Sequence, residues 1–202
     1  MMSEFLTFVH LGFRHIVNPE ALDHILFLLA LAAIYRGRDW RDSLWVISAF
    51  TVGHSITLAL AASRLVIIPQ AITEFLIPLT IVATGVENIL VRSRQRRAGA
   101  GRYRPVFAGV FGLVHGAGFA GYLQQLFTGS IVVPLFGFNI GIELGQLLVL
   151  SGAGATLLAL DRFLSLLQVP RMLTSPYRLR VVTVSLLVIV LATRMAIARQ
   201  PW

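Results

Sequence analysis

Apolar residues run almost continuously along this chain, in blocks separated by short polar segments. A hydrocarbon core of ~30 Å needs ~20 helical residues to cross it. The blocks predict six spans, at about 21–36, 43–63, 72–92, 105–127, 132–160 and 179–198. The first is short, and the fifth is long enough to tilt or to break near Gly152 and Gly154. Ahead of them, residues 4–17 form an apolar run interrupted by His10, Arg14 and His15, which predicts a re-entrant or interfacial helix. The expected fold is all-α: a polytopic membrane helix bundle forming a single integral membrane domain over residues 1–202.

Composition supports this. The chain is 56% hydrophobic and 13% charged, with a mean hydropathy of +0.79, where a soluble domain carries about 25% charged residues. The net charge of +8 does not point to nucleic acid. All 17 basic residues are Arg, and most lie between the apolar blocks. Arg36, Arg38 and Arg41 fall in the first loop; Arg92, Arg94, Arg96, Arg97, Arg102 and Arg104 in the third; Arg162, Arg171, Arg178 and Arg180 in the fifth. The second loop holds only Arg64 and the fourth has no basic residue. The positive-inside rule then makes the odd loops cytoplasmic and puts both termini outside. Residues 93–104 read as a flexible basic loop. The N-terminus, MMSEFLTFVHLGFRH, lacks the basic region and small-residue cleavage site of a signal peptide. With no Cys, a metal site would use nitrogen and oxygen ligands.

Polar residues inside the spans carry the chemistry, because an ionisable side chain at mid-bilayer costs ~2.5–3.5 kcal/mol and is retained facing the bundle interior or a wet cavity. They are Asp23 and His24, His54, Glu87 and Asn88, His115, and Asn139, Glu143 and Gln146. At ~1.5 Å of rise per residue, His54 and His115 lie ~17–18 Å from the inner side and Glu143 ~17 Å from the outer side, so the three share a depth near the midplane. Asp23 and His24 sit near the outer mouth with His10 and His15 close in sequence, and Glu87 sits near the inner side. Asn139, Glu143 and Gln146 follow i, i+4, i+7 spacing on one helix face. Gly137, Gly141 and Gly145 form a small-residue stripe on roughly the opposite face, suited to close approach of another helix. The phrases FTVGHS and FGLVHG both place Phe four residues before His, too short a similarity to make a repeat.

Imidazole with carboxylate and no sulfur suits borderline divalent ions such as Ni, Co, Zn, Mn or Fe. Simpler readings exist for each residue. A lone intramembrane His also serves as an interhelical hydrogen-bonding residue, and Asp23 as a helix N-cap. Glu74 reads as a first-turn residue and His10 as interfacial.

The segments FRHIVNPEALDHILFLLAL (13–31), FTVGHSITLALA (50–61), GVEN (85–88), FGLVHGAGFA (111–120) and FNIGIELGQ (138–146) resemble the HupE/UreJ family of hydrogenase and urease accessory membrane proteins. The likeness is clear over about residues 10–125, and the last 50 residues carry little motif. The Asp23–His24 pair, nine positions after His15, is also similar to the His-plus-Asp-His signature of nickel/cobalt transporters. The resemblance implies nickel permeation and points to His15, Asp23, His24, His54, Glu87, His115 and Glu143 as metal-handling residues. It also implies a bacterial inner-membrane location. Family members often carry a cleavable signal peptide, from which this chain departs.

The leading expectation is a divalent-metal permease, for nickel first and cobalt next. His15, Asp23 and His24 would capture the ion, His54, His115 and Glu143 would hold it, and Glu87 would help release it. The lipid bilayer and a divalent metal ion are the expected partners, with a homo-oligomer or a metal-delivery partner left open. No nucleotide-binding motif is present. Two alternatives stand beside it: an intramembrane zinc hydrolase with Glu143 as general base, and a non-transporting metal sensor or accessory subunit.

Overall fold

A computed structural model describes residues 2–35, 39–66, 69–90, 103–126, 131–166 and 175–202. They form seven helices and, among the described residues, no strand: α1 (Met2–Val17), α2 (Leu22–Ile34), α3 (Trp40–Ala62), α4 (Gln70–Leu90), α5 (Tyr103–Leu126), α6 (Val132–Leu166) and α7 (Pro176–Ala198). The architecture is the expected helical membrane bundle. Of the basic residues used to orient it, Arg36, Arg38, Arg92, Arg94, Arg96, Arg97, Arg102 and Arg171 lie outside the described residues, as does most of the 93–104 loop.

Among the described residues, four helices are long and apolar enough to cross a membrane: α3, α4, α6 and α7. A fifth span arises if α1 and α2, bent by 69° at their junction, count as one broken crossing. The reason is length. With 13 residues, α2 reaches only ~20 Å, well short of the hydrocarbon core, so it needs α1 to complete a span. The 24-residue α5 carries five glycines and His115 and lies along α3. The fifth apolar block does not break at Gly152 or Gly154. It is one 35-residue helix, and a Cβ at either glycine would meet nothing within 4 Å.

Glycine seams set the packing. A Cβ at Gly12 would run into the Phe138 carbonyl, and one at Gly141 into the Val9 carbonyl. The stripe Gly137–Gly141–Gly145 therefore receives α1, which runs parallel to α6 with Phe5, Val9 and Phe13 in turn against it. The pair α3 and α5 repeats the device. Gly53 meets the Gly109 carbonyl, and Gly112 meets the Phe50 carbonyl. In both pairs each glycine faces the carbonyl three residues before the other helix's glycine. Any side chain there would push the backbones apart. The third pair, α4 with α7, is antiparallel: Gly85 lies on Ile189, and the Phe75 and Trp202 rings meet at 5.3 Å.

The remaining helix, α2, is apolar all round and buried on nearly every face, as a helix central to a bundle should be. Single polar bonds fix it to its neighbours. Asn88 donates to the Ala30 carbonyl at 2.8 Å, and the Tyr177 hydroxyl donates to the Ile34 carbonyl at 2.7 Å. Arg180, almost fully buried, pairs with Asp161 at 2.6 Å and joins α7 to α6. Thr51 and Gln146 hydrogen-bond at 3.1 Å between α3 and α6.

Candidate metal centre

The break between α1 and α2 builds the site. The 69° bend at residues 18–21 puts His15, in the last turn of α1, beside Asp23 and His24, in the first turn of α2. The α1 C-terminus carries partial negative charge, which favours a cation there. The seam of α3 on α5 carries His54 next to Gly53 and His115 between Gly112 and Gly116, so close backbone contact holds both imidazoles inside the bundle. The His15 and His24 rings are 4.5 Å apart, His15 and His54 6.0 Å, His24 and His115 5.5 Å, and His24 and His54 6.4 Å.

One ring nitrogen from each of His15, His24 and His54 lies within 4.8 Å of the other two. Three nitrogens on one ion with bonds of 2.0–2.1 Å lie ~3.4–3.6 Å apart in tetrahedral or trigonal geometry. Closing the trio from within 4.8 Å takes side-chain movement on the order of 1 Å. The nitrogens are chemically disposed for it. Both ring nitrogens of His54, Nε2 of His15, Nε2 of His24 and Nδ1 of His115 are buried with no hydrogen-bond partner among the described residues. Leaving buried polar atoms unpaired costs about 1–3 kcal/mol each, and five of them converge here.

Hydrogen bonds fix two of the tautomers. Asp23 Oδ1 accepts from the His24 backbone N–H at 2.9 Å and from its Nδ1 at 2.9 Å. With the proton on Nδ1, Nε2 presents its lone pair, the carboxylate–histidine arrangement that orients metal ligands. Asp23 thus orients the His24 ring and pairs a first-turn backbone N–H of α2; the cap position, Ala21, has no side-chain bond. On the other side, Thr80 donates its hydroxyl to the Ile77 carbonyl at 2.7 Å and so accepts from His115 Nε2 at 3.1 Å. That leaves Nδ1 of His115 as the free acceptor. Phe27, Phe50, Phe119 and Phe138 wall the cluster, keeping water out and the imidazoles in a medium that penalises charge.

The positions of the seven expected residues can now be compared. The structure brings together His15, Asp23, His24, His54 and His115. The staggered arrangement, with Asp23 and His24 above a midplane set, is replaced by one cluster, because the α1–α2 break carries the first pair inward. Glu143 does not join it: its side chain is exposed on the outer side of α6. The three residues expected to share a depth do not share a face, because Gly141, Ile142 and Gln146 occupy the buried side of α6. His10 is exposed on α1. Glu87 stands apart, paired with Arg104 at 2.5 and 2.6 Å and accepting from the Tyr103 hydroxyl at 2.5 Å. These three residues flank an apolar cavity of about 100 Å³ that is also lined by Phe27, Phe107 and Phe111. Phe27 reaches both regions, its ring 5.9 Å from that of His115. Sequence reading missed Thr80, Thr51 and Arg199, whose Nη1 lies 3.5 Å from Asp23 Oδ2. A threonine in an apolar helix and an arginine past the last span carry no signal in one dimension.

The fold and the site define an integral membrane helix bundle with an interior histidine cluster at a helix break. The chain belongs to the HupE/UreJ protein family, whose pattern it matches over residues 1–199. No curated protein and no solved structure matches it.

Proposed function

We propose that this protein is a membrane permease for a divalent transition metal, nickel or cobalt, that moves through the His15–His24–His54 cluster. The observation that carries the reading is the convergence of three ring nitrogens within 4.8 Å at the junction of a broken membrane helix. Broken helices at cargo sites are a recurring transporter device, because their free ends supply partial charge without a fixed ion. Neutral imidazoles suit nickel, cobalt and zinc, and a site without thiolate holds them weakly enough to let go. His24 and His54 take the ion as it loses water, with His15 completing the set and His115 Nδ1 available as the next ligand. Phe27 and the cavity beneath it lead towards Glu87, where a carboxylate assists release. With the arginine-rich loops in the cytoplasm of a bacterium, both termini face the periplasm and the ion travels inward.

Three histidines also form a hydrolytic zinc set when a base stands beside the bound water. Glu143, the carboxylate that reading assigned as base, is exposed away from the cluster, which favours transport.

The test is uptake of nickel, cobalt, zinc and manganese into sealed vesicles containing the purified protein, with His54→Ala and His115→Ala as controls. Saturable uptake of nickel or cobalt, lost in His54→Ala, supports the permease. One tightly held metal per chain with no uptake replaces it with a sensor or a hydrolase.

A further inference from the structure

Asp23 has two oxygens, and they do different things. Oδ1 is committed to His24, through both the backbone N–H and the ring. Oδ2 faces Nη1 of Arg199 at 3.5 Å. Arg199 stands at the C-cap of α7, its backbone N–H bonded to the Met195 carbonyl at 3.0 Å. Just beyond, the Trp202 ring lies 5.3 Å from Phe75 of α4, which holds the segment across this end of the bundle. The Arg199 side chain is 33% exposed and that of Asp23 14%. A partly solvated guanidinium therefore covers the solvent side of the carboxylate that orients the cluster.

Coulomb energy makes this position consequential. A cation held by His24 Nε2 sits one imidazole away from Asp23, within range of the Arg199 charge in a medium of low dielectric. Two positive charges cannot both occupy that space at low cost. We propose that Arg199 is an internal competitor for the cargo, a latch that neutralises Asp23 in the ion-free protein and must swing away for a divalent cation to bind. This rests on the reading that the histidine cluster takes a divalent cation. The latch also selects. A divalent ion with strong imidazole affinity displaces a guanidinium from a carboxylate, whereas a monovalent ion, with half the charge and little affinity for nitrogen, does not. Exposure gives Arg199 somewhere to go, since its charge moves into water rather than through lipid.

The experiment is equilibrium dialysis of Ni²⁺ against the full chain in detergent at fixed pH, comparing wild type, Arg199→Gln and Arg199→Lys, with folding checked by gel filtration. The expected result is about tenfold tighter Ni²⁺ binding in Arg199→Gln, equivalent to ~1.4 kcal/mol, and wild-type affinity within about twofold in Arg199→Lys, which retains the charge. Equal affinity in all three proteins overturns the latch while leaving the metal site standing. Weaker binding in Arg199→Gln also overturns it, making Arg199 a support for Asp23. Tight binding in both variants removes charge competition as the cause and overturns it too. Failure of every protein to bind Ni²⁺ overturns the latch together with the metal-site reading beneath it. Should Arg199→Gln not fold, Arg199→Ala with added methylguanidinium replaces it, and the expected result is that the additive weakens Ni²⁺ binding.

Discussion

The Thr80 hydroxyl lies 3.1 Å from Nε2 of His115 while its own hydrogen is committed to the Ile77 carbonyl at 2.7 Å. One threonine on α4 thereby decides which nitrogen of a histidine on α5 is free to bind. Outer partners of this kind are worth 10–100-fold in metal affinity. Thr80→Val keeps the shape and removes the acceptor. It is expected to weaken Ni²⁺ binding about tenfold and, by leaving the buried Nε2–H unpaired, to cost about 1–3 kcal/mol of stability, both read on the purified protein. Unchanged affinity would show that His115 contributes no ligand.

Asp23→Asn tests the other fixed tautomer. An amide can donate to His24 Nδ1 and turn the ring's lone pair the wrong way. Metal affinity should fall about 10–100-fold, and more than in Thr80→Val, because His24 belongs to the closest trio of nitrogens. Isothermal titration of the two variants side by side gives the comparison.

Protons compete with metal for the same lone pairs, since an imidazole binds metal only when neutral. Affinity should therefore fall as the pH is lowered and protons take those lone pairs. Loss on acidification should be steeper than one proton's worth, as three rings take part. Affinity measured at several pH values, showing a flat profile, would remove histidine from the site.

The seams predict a contrast between glycines. Gly112→Ala puts a methyl group against the Phe50 carbonyl and the His54 backbone and should cost about 1–3 kcal/mol. Gly152→Ala meets nothing and should be neutral or slightly stabilising. Thermal unfolding in detergent distinguishes them, and equal melting temperatures would refute the seam.

Glu87→Gln leaves Arg104 without its carboxylate in a half-buried position. Breaking such a pair from one side is costlier than removing both partners, by as much as 3–5 kcal/mol where burial is deep. The double variant Glu87→Gln with Arg104→Gln should recover much of the loss in an unfolding measurement. No recovery would mean that the two residues act separately.

The helical class and most helix boundaries were legible in the sequence, because a bilayer enforces long apolar blocks whatever the neighbours do. His24, His54 and His115 stood out as polar groups set in apolar blocks, whereas His15 entered through the family likeness. Depth along a helix was legible too, at 1.5 Å per residue, but only for helices that run straight across.

What tertiary structure decided is which residues share a space. The α1–α2 break brought His15 and His24 to His54, which straight-helix counting had kept apart. Rotation of α6, set by the fit of its glycines against α1, turned Gln146 inward and Glu143 outward. Thr80 and Arg199 entered the site through contacts that only the packing of α4 and α7 creates. Periodicity gives the face of each helix but not the angle at which it meets the next. That angle is fixed by backbone contacts between glycines far apart in the chain, and those contacts exist only in the folded bundle.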